Sequence, residues 1–344
     1  MTTISASPSN PNKINVIILA AGYGTRLTRE IKDLESTDPE KFKKYQKLLN
    51  LPKALLPIKN KPLLTYWVET LLELHSRKSS NFEIHKLIIV TNDKFYKQFT
   101  SWWSELCCIE STATCKSGQD LNDIFSKSHI KQLMKKVDEK GDSSLNKIEA
   151  KKYLDKLMDI DIINDGTDCN DNRLGCNGSI RFAINQGGLY RKLKVNEEIN
   201  KQILVIASDL LFYRPYNLST FFDDTIQIKT NKVYAYKIPD SKANKHGIIE
   251  IDQKTKTITK FLEKPDINET TSRLACPCFY LFSENIIEKL LEFTRDSKNC
   301  PDASGHFIKW LVEEKHVLDI EVEEIDGRYD IGNFQSYLDC DQNY

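Results

Sequence analysis

The sequence predicts an α/β fold built on a doubly wound mixed sheet. Three continuous apolar runs, rich in β-branched residues, occupy residues 14–22, 86–92 and 202–209. Runs of this kind are typical of central parallel strands that are buried on both faces. Residues 63–75 show helical spacing between the first two runs, and this alternation of strand, helix and strand favours a doubly wound sheet. Function in such sheets lies at the carboxyl ends of the strands.

The second half of the chain has a different pattern, which predicts a small antiparallel subdomain followed by helices. Short runs separated by turns predict antiparallel strands at residues 232–240, 246–252 and 255–265. Helical spacing then predicts helices, and a last alternating run predicts a strand before a short closing helix. These later segments are residues 285–293, 305–315 and 318–326.

Two charged stretches interrupt the pattern of the sheet. Residues 31–50 are rich in lysine, and residues 110–158 begin as a linker rich in serine, threonine and glycine before they turn helical. We therefore predict one discontinuous domain over residues 14–109 and 159–340, with a helical hairpin inserted between them. The polar residues 1–13 predict a disordered N-terminus.

The composition excludes some classes of function. The 344 residues contain 49 basic and 49 acidic side chains, and this balance argues against non-specific binding of nucleic acid. No apolar run approaches the length of a membrane span, and the first run is too short for the core of a signal peptide. Nine cysteines at irregular spacing, without a C-x₂-C pair, favour free thiols in a reducing compartment. We therefore expect a cytoplasmic enzyme that binds neither nucleic acid nor membrane.

The strongest chemical signal is a pair of motifs, LAAGYGTRL at residues 19–27 and LPKALLPI at residues 51–58. Glycines directly after a buried strand let backbone N–H groups approach phosphate and form an anion-binding concavity. Arg26 and Lys53 can then neutralise a triphosphate. The ending of a Walker A loop is missing, and so is the third glycine of the Rossmann spacing. Taken alone, such a glycine turn is as often structural as functional.

Together the two motifs resemble the signature of the sugar-1-phosphate nucleotidyltransferases, which include glucose-1-phosphate thymidylyl-, uridylyl- and cytidylyltransferases. The resemblance extends over residues 14–109 and 159–335. It implies the fold of the nucleotide-diphospho-sugar transferases, a nucleoside triphosphate and a sugar 1-phosphate as substrates, and Mg²⁺ as cofactor. The nucleotide-binding residues that it implies in these motifs are Leu19, Ala20, Ala21, Gly22, Gly24, Thr25, Arg26 and Lys53.

Further matches follow in the family's order and imply two metal ligands. ASDLLF, which begins at residue 207, places the family's metal-binding aspartate at Asp209, although Ser208 replaces the usual glycine. RYDIGN, which begins at residue 328, places a second metal-binding aspartate at Asp330. An aspartate at the end of a strand is often only a helix cap, but carboxylate oxygens are also the ligands that Mg²⁺ prefers.

Two segments imply the side of the site that binds the sugar phosphate. In FLEKP, the resemblance implies that Lys264 grips the sugar phosphate and that Glu263 accepts hydrogen bonds from sugar hydroxyls. A surface ion pair is the alternative interpretation. HGIIEID resembles the family's Y-G-V-V-E-F-D, in which Gly247 lets the sugar pack on the backbone. His246 stands where the family has tyrosine, so the contact at that position is open.

Residues 164–180 occupy the place of the family's base-reading loop. Within them, RLGCNGSI resembles the variant R-L-G-A-x-x-D-I of some members. By this resemblance, Gly175 and Gly178 let the backbone approach the nucleobase. A flexible loop rich in asparagine and glycine is the alternative.

The implied reaction is direct in-line attack of the sugar phosphate on the α-phosphorus, in which Arg26, Lys53 and Lys264 are catalytic and no covalent nucleophile takes part. Two other functions remain open. A cytidylyltransferase acting on phosphocholine or another phosphorylated alcohol would share the fold and the first motif. A catalytically inactive, calcium-responsive regulatory subunit would accommodate the departures at Ser208 and His246, although the intact charged residues argue against it.

The insertion contains twelve residues, beginning at Asp138, that resemble a degenerate EF-hand loop. Asp138, Asp142 and Glu149 are weak candidates for Ca²⁺ ligands. Lys140 stands where an oxygen ligand belongs, and Ser143 stands where glycine normally makes the turn. A helical hairpin with a charged turn is therefore the preferred interpretation.

Overall fold

A computed structural model of the protein describes most of the chain. The described residues are 12–75, 82–107, 159–189, 201–216, 218–222, 231–314 and 319–344. The expected disordered N-terminus and the EF-hand-like hairpin, with Asp138, Asp142 and Glu149, lie outside these ranges, except that residues 12 and 13 begin the first strand.

The described elements alternate between strands and helices in the first part of the chain. The strands are β1 (Asn12–Leu19), β2 (Pro57–Ile58), β3 (Lys61–Pro62), β4 (Phe82–Thr91), β5 (Asp159–Asn164), β6 (Lys201–Ala207), β7 (Leu210–Phe212), β8 (Asn231–Lys237), β9 (Gly247–Ile251), β10 (Ile258–Glu263), β11 (Leu274–Ala275), β12 (Phe279–Phe282), β13 (Ile320–Glu324) and β14 (Arg328–Asp330). The helices are α1 (Thr25–Thr37), α2 (Pro39–Tyr45), α3 (Leu63–His75), α4 (Tyr96–Cys107), α5 (Gly175–Gln186), α6 (Leu218–Phe221), α7 (Glu284–Phe293), α8 (Ser304–Glu313) and α9 (Phe334–Asn343).

Within the described residues, ten strands form one mixed sheet. Its order is β10-β9-β11-β8-β12-β6-β1-β4-β5, and β13 also pairs with β8. β1 lies parallel to both β4 and β6, as the three apolar runs predict. β12 lies antiparallel between β6 and β8 and so joins the antiparallel strands to the parallel ones. The predicted α/β doubly wound mixed sheet is therefore confirmed, but its antiparallel strands continue the main sheet and do not form a separate one.

The central strands are buried on both faces of the sheet. Val16 and Ile18 of β1 belong to one apolar cluster, whereas Ile17 between them belongs to the other. Successive side chains of a strand point to opposite faces, so β1 contributes to both cores. The helices α3 and α4 cover the first face, and α5, α7 and α8 cover the second. This burial explains why the sequence of β1 is continuously apolar.

The lysine-rich residues 31–50 differ from the expectation of an excursion from the sheet. They complete α1 and form α2, and both helices pack on the first core. Ile31 is 0% exposed and Leu48 is 1% exposed. Leu27 and Ile31 lie four residues apart on one face of α1, and charged neighbours obscure that apolar stripe in the sequence.

Two further expectations concern membrane-spanning segments and the state of the cysteines. No helix in the described ranges combines the length and apolar character needed to cross a membrane. The described cysteines whose thiols are free are Cys169, Cys176, Cys276, Cys278, Cys300 and Cys340.

Candidate active site

The first motif forms a loop at the carboxyl end of β1. The backbone N–H of Ala20 donates to the carbonyl of Val90 at 2.8 Å, and the Asn92 side chain donates to the carbonyl of Ala21 at 2.9 Å. Gly24 adopts a left-handed conformation with φ 63° and directly precedes α1, where no side chain caps the helix. The N–H groups of the first helical turn therefore lack intrahelical partners, and they are suited to bind an anion.

Lys53 and Asp209 meet beside this loop, although 156 residues separate them. Nζ of Lys53 donates to Oδ2 of Asp209 at 3.0 Å, and both side chains are part-buried. A Cβ on Gly24 would lie 3.5 Å from Cγ of Lys53, so the lysine stem runs along the loop. Asp209 follows β6, and the N–H of Ser208 donates to the carbonyl of Leu19 at 3.1 Å. The second motif and the strand-end aspartate thus lie next to the first motif.

Asp330 lies on the segment next to Asp209. β14 pairs antiparallel with β7, which places Asp330 opposite Leu210. The N–H of Ile331 donates to the carbonyl of Asp209 at 2.9 Å. Two carboxylates that are distant in the sequence therefore project from adjacent backbone segments at the carboxyl end of the sheet.

The donors at this point suit a hard cation such as Mg²⁺. Asp209 and Asp330 supply carboxylate oxygens, and Mg²⁺ is commonly held by one or two carboxylates together with waters and substrate phosphates. Over the residues that the structure describes, no group of three or more histidine, cysteine, aspartate or glutamate side chains is arranged to hold a metal ion. The arrangement is therefore compatible with a cation that the substrate helps to bind.

Arg328 is a charged residue of this region that the sequence reasoning missed. Its Nη1 lies 2.9 Å from Oδ2 of Asp330, and its Nε donates to the hydroxyl of Tyr236 at 3.1 Å. The guanidinium also lies 5.5 Å from the centroid of the Tyr236 ring. A signal was available in the sequence, because residues i and i+2 of a strand share one face and RYD places Arg328 beside Asp330.

Glu263 and Lys264 lie at the end of β10, next to the glycine of the HGIIEID segment. A Cβ on Gly247 would lie 3.3 Å from Oε2 of Glu263 and 2.5 Å from the Phe261 ring, so this close approach requires glycine. Lys264 has φ 50°, a left-handed conformation that is costly for a residue with a Cβ. Its backbone N–H donates to the carbonyl of His246 at 3.1 Å. The side chain of Lys264 is mostly exposed.

Glu263 and Arg328, which belong to different segments of the candidate site, both influence the thiol of Cys276. Burial raises the pKa of the Cys276 thiol, the nearby Cys278 and Glu263 raise it further, and Arg328 lowers it. The N–H of Cys276 donates to the carbonyl of Gly247 at 2.9 Å. Glu263 and Arg328 therefore act on the same small region between β9 and β14.

His246 occupies the position where tyrosine was expected and is held in its neutral form. Burial, and after it the positive charge of Arg328, lower the pKa of His246 from 6.5 to about 4. Its imidazole lies 6.2 Å from the Tyr236 ring in an edge-to-face arrangement. An imidazole of this kind packs against the Arg328 region as a neutral group at pH 7.

This pKa shift predicts a loss of stability in acid. Below pH 6.5 the unfolded state binds a proton at His246 more readily than the folded state does, until the pH reaches about 4. The contribution of neutral His246 to the free energy of unfolding is therefore fully present above pH 6.5, and it is lost as the pH falls toward 4. We expect the melting temperature of His246→Asn to depend less steeply on pH over this interval than that of the wild type. Parallel slopes in thermal melts from pH 7 to pH 4 would contradict the prediction.

The glycines of the expected base-reading loop have protein neighbours. Gly175 has φ 73°, and a Cβ there would lie 2.6 Å from Cα of Asp302 and 2.7 Å from the carbonyl oxygen of Pro301. A Cβ on Gly178 would lie 3.1 Å from Cβ of Leu174. The N–H groups of Cys176 and Asn177 donate to the carbonyls of Asp302 and Pro301, both at 2.9 Å. The glycine at 175 is thus required by packing at the start of α5, and contact with a nucleobase remains a prediction.

A hydrogen bond joins the first motif to the segment after β5. The hydroxyl of Tyr23 donates to Oγ1 of Thr167 at 3.0 Å, across 144 residues. Beside this contact opens a cleft of about 530 Å³, between α1 and the segment after β5. Its lining residues are Tyr23, Thr25, Thr28, Arg29, Lys32, Asp33, Lys94, Asp168, Cys169 and Asn170. The sequence reasoning included Thr25 and the loop with Asp168 among these residues, but it missed the lining from Thr28 to Asp33, because it did not predict the helical continuation of α1.

The structure therefore brings some of the predicted charged residues into direct contact and leaves others at the surface. Lys53 contacts Asp209, and Asp330 lies on the neighbouring segment. Arg26 is exposed in the first turn of α1, and Lys264 is exposed beyond β10. Arg26 thus follows the glycine loop closely, whereas Lys264 follows β10, an edge strand of the described sheet.

The fold and this arrangement can now be compared with known proteins. A family model described as nucleotidyl transferase matches residues 186–344, which include Asp209, Lys264 and Asp330. Over these residues the chain is similar in sequence to the nucleotidyl transferases. The match supports a nucleotidyltransferase enzyme, as the resemblance of the motifs implies.

Solved structures show the same fold as this chain over nearly its full length. A UDP-glucose pyrophosphorylase complexed with UDP-glucose has a TM-score of 0.60 and 17% sequence identity, and the match covers 96% of this chain and 97% of the other. A UTP-bound UGPase from Acinetobacter baumannii has a TM-score of 0.56 and 13% identity, with 96% and 92% covered. No curated protein matches this chain in sequence.

Proposed function

We propose that this nucleotidyltransferase joins a sugar 1-phosphate to a nucleoside triphosphate and releases pyrophosphate. The observation that carries the proposal is the meeting of Lys53, Asp209 and Asp330 beside the glycine loop of β1. One similar structure holds UDP-glucose and another holds UTP, a nucleotide sugar and a nucleoside triphosphate. Both are the kinds of ligand that a cleft with these charges suits.

In this proposal the loop after β1 binds the triphosphate. The free N–H groups at the start of α1 donate to phosphate oxygens, and the exposed Arg26 offers a planar pair of donors. Lys53 adds a point charge beside the loop, where its Nζ is already oriented by Asp209. Both cations offset the negative charge that builds up on the leaving pyrophosphate.

The acceptor binds on the opposite wall, formed by β9 and β10. Lys264 holds the phosphate of the sugar 1-phosphate, and Glu263 accepts hydrogen bonds from sugar hydroxyls above Gly247. The left-handed backbone of Lys264 supports this role, because strained conformations are maintained where the surroundings need them, and they cluster at functional sites. Neutral His246 adds no charge that would compete with Lys264 for the phosphate.

The reaction needs no covalent nucleophile from the protein. An oxygen of the sugar phosphate attacks the α-phosphorus, a new P–O bond forms, and the bond from the α-phosphorus to the bridging oxygen breaks as pyrophosphate leaves. Asp209 and Asp330 are the residues that would hold Mg²⁺, which supplies charge neutralisation on the phosphates. The contribution of the side chains is orientation of the two substrates and stabilisation of charge.

A screen for pyrophosphate release tests this function directly. Each of ATP, CTP, GTP, UTP and dTTP is combined with a panel of sugar 1-phosphates and with phosphocholine, with and without Mg²⁺. The proposal expects release with at least one sugar 1-phosphate, dependent on Mg²⁺. Release with phosphocholine and with none of the sugars would establish the alternative cytidylyltransferase. No release with any pair would contradict the proposed function.

Replacement of Lys264 tests the assignment of the acceptor side. Lys264→Ala is expected to lower turnover by about 10²-fold or more, because one phosphate-binding charge is lost from the transition state. The KM for the sugar phosphate is expected to rise more than the KM for the nucleotide. Lys260→Ala is the matched control, because this half-exposed lysine lies four residues earlier, on β10, and only approaches Glu250 at 3.9 Å. Equal turnover in the two variants would remove Lys264 from the site.

A further inference from the structure

Arg328 is a buried cation that the functions assigned above do not use. Its side chain is 10% exposed, and Nη1 lies 2.9 Å from Oδ2 of Asp330. Burial of an ion pair carries a large desolvation cost, and apolar residues of similar size often serve stability equally well. A buried arginine beside a candidate metal ligand therefore calls for a role other than stability.

The strand geometry directs Arg328 and Asp330 to the same side of β14. Residues two apart in a strand share one face, so Tyr329 between them points to the other face, where its ring lies 4.7 Å from the Tyr213 ring. Arg328 pairs across the ribbon with Phe212, and Asp330 pairs with Leu210. Both side chains therefore project from the same face of this short ribbon.

Arg328 also connects this ribbon to the large sheet. Its Nε donates to the hydroxyl of Tyr236, which lies on β8, and the same guanidinium lies over the Tyr236 ring. Burial opposes the charge of Arg328, but the charges of Asp330 and Asp209 outweigh burial and keep its pKa raised. One guanidinium thus holds a carboxylate of the site at one end and a strand of the sheet at the other.

Only one of the two carboxylate oxygens of Asp330 contacts Arg328. Among the described residues, Oδ2 contacts Arg328, whereas no hydrogen bond to Oδ1 is found. The ion pair is a single contact from Nη1 to Oδ2, and Nε of the same planar guanidinium donates to the hydroxyl of Tyr236, so the cation that faces Oδ2 is itself held in place. Residues that orient metal ligands in this manner strongly influence metal affinity.

We propose that Arg328 is a positioning residue, which holds Oδ2 of Asp330 against Tyr236 so that Oδ1 is presented to a divalent cation in the cleft. The inference rests on the proposed function, since it takes Asp330 as a metal ligand. It adds Arg328 and Tyr236 to the residues on which metal binding depends.

Binding of Mn²⁺ alone, followed by electron paramagnetic resonance of the free ion, tests the proposal without any reaction. Arg328→Met is expected to raise the dissociation constant for Mn²⁺ by about 10- to 100-fold, as loss of an orienting partner typically does. Arg328→Lys is expected to have a dissociation constant for Mn²⁺ between those of the wild type and Arg328→Met, because an ammonium group cannot hold Asp330 and Tyr236 together. Tyr236→Phe keeps the charge and removes one anchor, so it is expected to weaken Mn²⁺ binding by a smaller factor.

Arg273→Met is the matched control. Arg273 also binds an aspartate, with Nε 2.6 Å from Oδ1 of Asp240, but Asp240 is 70% exposed. This variant is expected to bind Mn²⁺ as the wild type does. In turnover assays, Arg328→Met is expected to need more Mg²⁺ for half-maximal rate, whereas the KM for the sugar phosphate stays unchanged.

The outcomes separate this inference from the proposed function. A folded Arg328→Met or Arg328→Lys that binds Mn²⁺ with unchanged affinity overturns the role of Arg328, whatever the activity. If Arg328→Met does not fold, unchanged Mn²⁺ affinity in Tyr236→Phe has the same consequence. A wild type that releases no pyrophosphate with any substrate pair overturns the proposed function, while weaker Mn²⁺ binding in the variants would still support the orienting contact.

Discussion

Asp209→Ala is expected to lower the rate of nucleotidyl transfer by about 10²- to 10³-fold, the effect of removing one group that stabilises charge in the transition state. Asp209 lies at the end of β6, where its carboxylate accepts from Nζ of Lys53 at 3.0 Å and its carbonyl accepts from the N–H of Ile331. Its loss removes a proposed metal ligand and also releases Lys53 from the position beside the glycine loop. Because two functions are lost together, we expect this substitution to have the largest effect on activity.

The prediction is checked by steady-state assays of pyrophosphate release at several Mg²⁺ concentrations. Asp209→Asn keeps the size of the side chain and removes its charge, so it is expected to lose nearly as much activity as Asp209→Ala. Asp161→Ala is the matched control, because Asp161 also binds a lysine, with Lys86 Nζ at 2.6 Å, on the edge strand β5. Near-normal turnover in Asp209→Ala, at the level of the control, would show that Asp209 is no part of the active site.

Trp67→Ala is expected to cause the largest loss of stability, about 3–5 kcal/mol, the usual cost of removing a large buried aromatic side chain. Trp67 on α3 is 0% exposed and packs against the rings of Phe212 and Phe279, with centroid distances of 5.4 Å and 5.8 Å. Its Nε1 donates to the carbonyl of Leu210 at 2.9 Å. The side chain therefore supports the β7 segment directly after Asp209.

Trp67→Phe separates the two contributions of this side chain. It keeps most of the apolar volume and leaves the carbonyl of Leu210 without its donor, which is expected to cost about 1–3 kcal/mol. Urea denaturation measures both variants, and Trp103→Ala on α4 is the control, because Trp103 is only partly buried. Equal destabilisation by Trp67→Ala and Trp103→Ala would contradict the central position of Trp67 in the core.

The parallel strands and the helix α3 could be predicted from the sequence because burial on both faces leaves a strong local pattern. The bounds of β1, β4 and β6 lie one to four residues from the predicted ones, and α3 spans Leu63–His75 as predicted. The glycine loop was predictable for a related reason, since phosphate-binding backbone follows a buried strand. α1 was missed because its apolar positions, among them Leu27 and Ile31, are separated by charged side chains.

Contacts between distant segments were less accessible to sequence reasoning. Gly175 was predicted to face a nucleobase, but its missing side chain makes room for the backbone of Pro301 and Asp302. Arg173 in the same loop binds both carboxylate oxygens of Asp302, through Nε at 3.0 Å and Nη2 at 2.8 Å. No local sequence pattern predicts such packing, because Asp302 lies 129 residues from Arg173.

The sequence by itself determined the class of fold, the glycine loop and the identity of the charged residues, because each depends on the order of residues along a few turns or strands. The tertiary structure decided which of those charges meet. It placed Lys53 against Asp209 and Arg328 between Asp330 and Tyr236, and it left His246 neutral. The physical reason is that electrostatic interaction depends on distance and burial, and both are set by the packing of segments that are remote in the chain.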